Sequence, residues 1–184
     1  MQSPMTGFVC ATIHRAGRIH VGDVLALRHS MLGKARPSHH DANSIAGLAV
    51  KNFPACEQWR EFFIETIAAY LVEGAAPRGE LTEENAAWLI ERCEDGLEET
   101  LAFELAATVV QRAANCPAPL LRYVLERLNE LSARVHRGVA KDDEKAALDA
   151  ARAALRAAGL AGRLYVPREA PAAPAASPGS GVAA

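Results

Sequence analysis

The chain has 184 residues, half of them apolar, 23% charged and only 5% aromatic, which suffices for one domain or two small packed domains and favours helix over sheet. Lys and Arg outnumber Asp and Glu by six to two in residues 1–56, are outnumbered four to thirteen in residues 57–116, and lead by ten to seven in residues 117–184. The basic residues are dispersed rather than clustered, and no apolar run approaches the roughly 20 residues of a membrane span, so the pattern argues against nucleic-acid binding and membrane insertion.

The first unit, residues 17–78, follows an N-terminal segment, residues 1–16, that lacks the basic start and apolar stretch of a signal peptide. Three helices are predicted in this unit: Val21 to Leu32, which carries two adjacent apolar stripes, Asp41 to Asn52, and a third around Trp59. The third helix is the best marked, because its apolar residues recur at steps of three and four: Trp59, Phe62, Phe63, Thr66, Ile67, Tyr70 and Leu71. We expect it to be a main element of the core.

The second unit, residues 79–137, repeats the plan. Thr82 is a predicted cap for a helix that ends near Cys93, and the helix from Glu98 to Ala114 is apolar on two faces, which is typical of a helix packed between others. A further helix has a continuous apolar seam formed by Leu121, Val124, Leu128, Leu131 and Val135.

A third unit, residues 138–170, is truncated. Residues 142–158 are predicted to form an Ala-rich helix, but a Pro/Ala tail, residues 171–184, stands where a further helix would follow, and we expect this tail to be disordered. We expect the missing helix to leave apolar surface around Leu148 and Leu155, to be covered by the first unit, a second chain or a partner.

A glycine opens each of the three units. Gly17, Gly79 and Gly138 are separated by 62 and 59 residues, and each precedes a helix start. Repeats of such a period usually mean that one supersecondary unit has been copied and stacked to share a core.

The helix starts carry a resemblance. An apolar or proline residue precedes a capping residue at Ile19-His20 and Pro37-Ser38 in the first unit, and the second unit has Leu81-Thr82 and Leu97-Glu98. With the phrases Trp59-Arg-Glu-Phe62-Phe63 and Gly79-Glu-Leu-Thr-Glu-Glu-Asn-Ala-Ala-Trp88-Leu, the chain resembles a group of uncharacterised bacterial all-helical proteins with tandem, degenerate EF-hand-like pairs, from residue 17 to about residue 170. The resemblance implies an all-α fold of paired helix–loop–helix elements joined by a small β-bridge, each pair followed by a longer packing helix, and it implies no activity.

The loops do not have the ligands of a calcium site. A working loop needs oxygen ligands at positions 1, 3 and 5, glycine at 6 and glutamate at 12. With Gly17 at position 6 these places hold Thr12, His14, Ala16 and Asp23, and with Gly79 they hold Gly74, Ala76, Arg78 and Asn85. With Gly96 at position 6 the loop offers Glu91 and Asp95, but also Cys93 and Ala102. We therefore interpret the loops as scaffold.

Other metal ligands are considered as an alternative. Five of the six histidines lie early in the chain: His14, His20, His29, His39 and His40. Together with Cys10 they could form a divalent-metal sensor with noncanonical ligands, or the acidic region 91–99 could form one instead. The simpler interpretation places the histidines in loops and caps. It places the acidic residues in the first turns of helices, where the helix dipole stabilises a negative charge. We predict no metal, cofactor or catalytic residue.

No catalytic phrase of the GxSxG, P-loop or GxGxxG type is present, so we predict that the chain is not an enzyme. The four dispersed cysteines suggest a reduced, cytoplasmic protein. Trp59 is expected in the core, and Trp88 either packs between units or borders a groove for a partner helix. The leading hypothesis is a non-catalytic interaction or regulatory module that binds another protein or itself.

Overall fold

The computed structural model describes residues 4–32, 34, 36–74, 79–157 and 159. In these ranges the chain is helical and contains only two isolated β-bridges, which confirms the all-α prediction. The helices are α1 (Pro4–Ala16), α2 (Val21–Met31), α3 (His39–Ala49), α4 (Glu57–Ala68), a π-helical turn (Ala69–Glu73), α5 (Glu83–Glu94), α6 (Glu99–Arg112), α7 (Ala118–His136) and α8 (Asp142–Ala157). The expected disordered tail lies outside the described residues.

The glycine repeat is a repeat of backbone geometry. All three glycines have left-handed backbones, with φ of 67° at Gly17, 85° at Gly79 and 71° at Gly138. A side chain is strained in this conformation, so glycine is favoured here. In each copy a helix begins four residues after the glycine, at the start of α2, α5 or α8.

Each of the two complete units contains one short backbone pairing between its loops. Ile19 before α2 forms a parallel bridge with Ala55 before α4, and Glu80 before α5 forms one with Asn115 before α7. The resemblance implies bridges between the starts of α2 and α3 and between the starts of α5 and α6. This is wrong for the second partner, which lies before α4 in one unit and before α7 in the other. Before α3, Pro37 has no N–H to donate, and the Ser38 N–H is bonded at 3.0 Å to the Asp41 carboxylate.

Helix α6 is the centre of the fold. It packs against α4, α5, α7 and α8, which confirms the expected sandwiched helix. Leu148 and Leu155 are fully buried, but the expected cover by the first unit, a second chain or a partner is wrong, because α8 packs on α6 and α7 of the second unit. The seam of α7 is shifted by one residue at its start: Leu120 and Tyr123 are buried, whereas Leu121 and Val135 are only half-buried.

Two elements are absent from the sequence-based description. Residues 4–16 form α1, which packs against α2 and α3 through Thr6, Cys10 and Ile13. The π-helical turn extends α4 and ends at Gly74, where a β-carbon would lie 2.1 Å from the Tyr70 carbonyl oxygen. The wide turn therefore requires glycine at this position.

Candidate functional site

Exposed apolar side chains are concentrated in the first two helices. Six large apolar residues are exposed in the part of the chain that the structure describes: Met5, Phe8, Val21, Leu25, Leu32 and Val139. Five of these six lie between residues 5 and 32, and Phe8, Leu25 and Leu32 are exposed by 69%, 61% and 72%. This concentration makes the first two helices the place to look for a contiguous apolar surface, which is the usual mark of an interaction site.

The exposed residues of α2 and its C-cap form one ridge. Val21, Leu25, Arg28 and Leu32 follow each other at steps of four, three and four, which places them along one side of a helix. We call these four residues the α2 outer stripe. The opposite side of α2 is anchored by Val24 and Leu27, which are buried in the core. The outer stripe is therefore held in place by a helix whose other face is fixed.

The second and third copies of the repeat show what the fold requires at the same positions. The residue ten places after the glycine is a buried leucine in every copy: Leu27, Leu89 and Leu148. The places of Val21, Leu25 and Leu32 are exposed in every copy, and they hold Glu83, Ala87 and Glu94 in the second and Asp142, Ala146 and Ala153 in the third. The fold thus accepts charged or small residues at these outer positions, and only the first copy has large apolar ones.

The charged residues exposed on the first three helices and their loops are basic, whereas α4, which packs against α2, carries Glu57, Glu61 and Glu65. The exposed charged side chains of residues 4–56, leaving aside the undescribed Gly33 and Ala35, are Arg15, Arg18, Arg28, Arg36 and Lys51. The two carboxylates in this range are used internally. Asp23 accepts the His20 backbone N–H at 2.8 Å at the start of α2, and Asp41 is fully buried.

Asp41 is a structural group. Its carboxylate accepts hydrogen bonds from Lys34 Nζ at 2.8 Å and from Ser38 Oγ at 2.6 Å. Burial by itself raises the pKa of Asp41, but these hydrogen bonds outweigh it and lower the pKa to about 2. The Asp41 charge therefore remains inside the first unit and is not offered to a partner.

Arg28 lies in the middle of the outer stripe. One guanidinium nitrogen lies 3.6 Å from Glu65 on α4, and both side chains are nearly half exposed. The guanidinium also lies over the Phe62 ring, 5.5 Å from its centroid. A pair this exposed is weak, because solvent screens it. Arg28 can therefore exchange Glu65 for another carboxylate.

A hydrogen-bonded chain joins the two units at Trp88. The indole N–H of Trp88 donates to Asn43 Oδ1 at 3.1 Å, and the Asn43 amide nitrogen lies 2.7 Å from His39 Nε2. Because an indole nitrogen only donates, the Asn43 nitrogen must donate to Nε2, and His39 Nδ1–H then donates to Tyr70 Oη at 2.6 Å. Trp88 is thus half-buried between the units, as one of its two sequence-based interpretations predicts, while Trp59 is in the core as predicted.

A second polar contact between the units lies beside an open cavity of about 450 Å³. Arg60 on α4 donates to Glu104 at 2.8 Å and to Thr100 at 3.0 Å on α6. The walls of the cavity include Ile19, Leu48, Phe53, Trp59 and Leu101. Because the Arg60 guanidinium beside this cavity is already bonded to α6, we assign the contact of Arg60 with α6 to packing between the two units.

The residues proposed for a metal sensor do not converge. In residues 4–157, leaving out the undescribed positions, no three His, Cys, Asp or Glu side chains are placed to hold a metal ion. In the early segment Cys10 is buried, whereas His14 is exposed and lies edge-on to Phe53. In the acidic segment three carboxylates face arginines, in the pairs Asp95–Arg92, Glu98–Arg60 and Glu99–Arg134.

The cysteines are free thiols in structural positions. Burial, with the nearby Asp41 charge, raises the pKa of Cys10 to about 11, and burial raises that of Cys93 to about 12. Both are therefore held in the neutral, unreactive form.

The outer stripe is a candidate surface that the sequence alone does not single out. Its signal was present, because α2 carries apolar residues on two adjacent stripes while only one can face the core. Which stripe is buried depends on the direction from which α1 and α4 approach, and this is not encoded in the periodicity.

Comparison of the chain with protein-family models, curated proteins and solved structures gives no match. Among the helices in the described part of the chain, none combines the length and apolar character that a membrane crossing requires.

Proposed function

We propose that the protein is a non-catalytic interaction module that binds another protein through the α2 outer stripe. The observation that carries this proposal is the difference between the copies of the repeat. At equivalent exposed positions the first copy has Val21, Leu25 and Leu32, whereas the others have acidic residues or alanine. Since the fold is built without large apolar residues there in two copies, folding does not account for them in the first.

We also propose that the architecture is EF-hand-like without calcium loops. Supporting this, in each complete unit the loop before one helix is bridged to the loop before a later helix, at Ile19–Ala55 and at Glu80–Asn115. The bridged loops are structural connections that help to place α2 at the surface.

The test uses a repeat-matched variant, in which Val21→Glu, Leu25→Ala and Leu32→Ala give α2 the outer residue types of the other copies. Its control is Val139→Ser, which removes the exposed apolar residue outside the α1–α2 segment. Equal amounts of wild type, variant and control are immobilised and exposed to an extract of the cells that contain the protein. The proposal expects a stoichiometric partner with wild type and control and its loss with the repeat-matched variant. The same partner on all three proteins, or no stoichiometric partner together with a monomeric wild type, contradicts it.

A further inference from the structure

We propose that the α2 outer stripe binds an acidic amphipathic helix of a partner protein. This inference rests on the proposed function and deepens it by naming the chemistry of the partner.

The shape of the stripe favours a helix. Its four residues span twelve positions, and the eleven steps between the first and the last cover about 16 Å at 1.5 Å per step. A straight apolar ridge of three turns is complemented by another helix, whose side chains pack beside the ridge over its whole length. The shallow depression beside it, with a volume of about 530 Å³, is lined by Leu25, Ala26, Arg28, His29 and Leu32. The small Ala26 leaves space there for an apolar side chain of the incoming helix.

The charge within the stripe favours acidic residues on that helix. Its one charged residue is Arg28, and the carboxylates of α2 and α3, Asp23 and Asp41, are engaged within the unit. Arg28 interrupts the apolar ridge, and its contacts are an exposed ion pair with Glu65 and the face of the Phe62 ring. A carboxylate on a docked helix would reach Arg28 in a less hydrated setting, where a charge pair is stronger.

The same charge argues against a second copy of this chain as the occupant. The spacing of four, three and four is symmetric about its midpoint, and Arg28 stands next to that midpoint. In a two-fold symmetric pair, parallel or antiparallel, the two Arg28 guanidinium groups would meet near the centre of the interface. Like charges placed together in an interface oppose association.

The probe is a fluorescein-labelled peptide of 16 residues with leucines at steps of four, three and four and glutamates on both flanks of the leucine stripe. One twin peptide has lysine in place of every glutamate, and a second has serine in place of every leucine. Fluorescence anisotropy is measured with the full chain. We expect saturable binding of the Glu–Leu peptide, at least tenfold weaker binding of both twins, and weakening of the Glu–Leu complex as NaCl is raised from about 0.05 to 0.5 M.

A charge exchange tests the role of Arg28. We expect Arg28→Glu to lose at least tenfold in affinity for the Glu–Leu peptide and to gain affinity for the Lys–Leu twin. Arg137→Glu is the matched control, since Arg137 is exposed at the end of α7, outside the α1–α2 segment, and should leave both affinities unchanged. Circular dichroism establishes that both variants retain the helical signal of the wild type.

Three results would overturn the inference. The first is equal binding of the Glu and Lys peptides, and the second is no saturable binding of the Glu–Leu peptide. The third is a wild-type dimer in light scattering that the repeat-matched variant converts to a monomer, which would assign the stripe to self-association. Any of them contradicts the proposed acidic helix, while the capture experiment can still show an interaction through the stripe. Capture of the same partner by wild type and repeat-matched variant contradicts the proposed function as well.

Discussion

Helices α2 and α8 begin with the same backbone device and differ in what their outer faces carry. Both start four residues after a left-handed glycine and both bury a leucine ten residues after it, Leu27 in α2 and Leu148 in α8. On α8 the outer positions are Asp142, Ala146 and Ala153, as expected for a helix that only meets solvent there. On α2 the same positions are apolar.

The difference separates two uses of apolar side chains in one chain. The inner leucines are fixed by the fold, since each copy buries one against its neighbours. The outer residues vary freely between copies in a way that burial does not explain. The second and third copies therefore show which residues the fold needs, and substitutions at inner and outer positions should have different effects on stability.

The largest expected effect is at the inner positions. Leu27→Ala and Leu148→Ala should each lower the free energy of unfolding by about 3 kcal/mol, because each removes a fully buried side chain and leaves a cavity. Leu25→Ala, on the outer stripe, should change it by less than about 0.5 kcal/mol. Urea denaturation followed by circular dichroism measures all three. A cost at Leu25 equal to that at Leu27 would remove the distinction between the two faces of α2.

The next effect concerns Asp41, the buried carboxylate of α3. The pKa of Asp41 falls from its usual 3.8 to about 2 on folding, so its contribution is fully present above about pH 4 and is lost as the pH falls towards 2. Asp41→Asn should therefore cost about 2 kcal/mol at pH 7 and flatten the acid limb of the stability–pH curve. Thermal unfolding of wild type and variant between pH 2 and 7 measures this difference. Parallel curves of stability against pH would contradict the stabilising role of the Asp41 charge.

A smaller effect is expected where α5 meets the first unit. Asn43 accepts from Trp88 and donates to His39, so Asn43→Ala should lower the free energy of unfolding by about 1 kcal/mol. Ser44→Ala, on the same helix, controls for the change in helix propensity. A double-mutant cycle with Trp88→Phe should give a coupling energy of about 1 kcal/mol. Additive effects would show that the hydrogen-bonded chain does not join the units.

Local features of the fold could be predicted from sequence to different degrees. The helices with regular apolar spacing and caps are found close to their predicted places: α5 behind Thr82 is within one residue, and α3 ends three residues before the predicted Asn52. Helix α1 is missed because Gly7 and the β-branched Thr6, Val9 and Ile13 weaken its helix propensity, although Thr6, Cys10 and Ile13 recur at helical spacing.

Features set by tertiary contacts could not be predicted in the same way. The burial of Leu148 depends on α8 folding back on α6, and the pairing of Ile19 with Ala55 depends on how α2 and α4 are brought together. The α2 outer stripe belongs to this group too. The periodicity shows that α2 has two apolar faces, and only the packing of α1 and α4 shows which of them is left outside.

A small change in stability is also expected for the repeat-matched variant. Replacing Val21, Leu25 and Leu32 by the residue types of the other copies should alter the free energy of unfolding by less than about 1 kcal/mol, because all three side chains are exposed. The introduced glutamate lies in the first turn of α2, where the helix dipole favours a negative charge. Urea denaturation of variant and wild type side by side measures this difference.

The most direct test measures stability and binding on the same samples of the wild type and the repeat-matched variant. Urea denaturation gives the free energy of unfolding, and anisotropy gives the affinity for the Glu–Leu peptide. The account predicts equal unfolding free energies within about 1 kcal/mol and a loss of peptide affinity of at least tenfold in the variant. A variant that unfolds several kcal/mol more easily, or that binds the peptide as the wild type does, contradicts the claim that the outer stripe serves a partner rather than the fold.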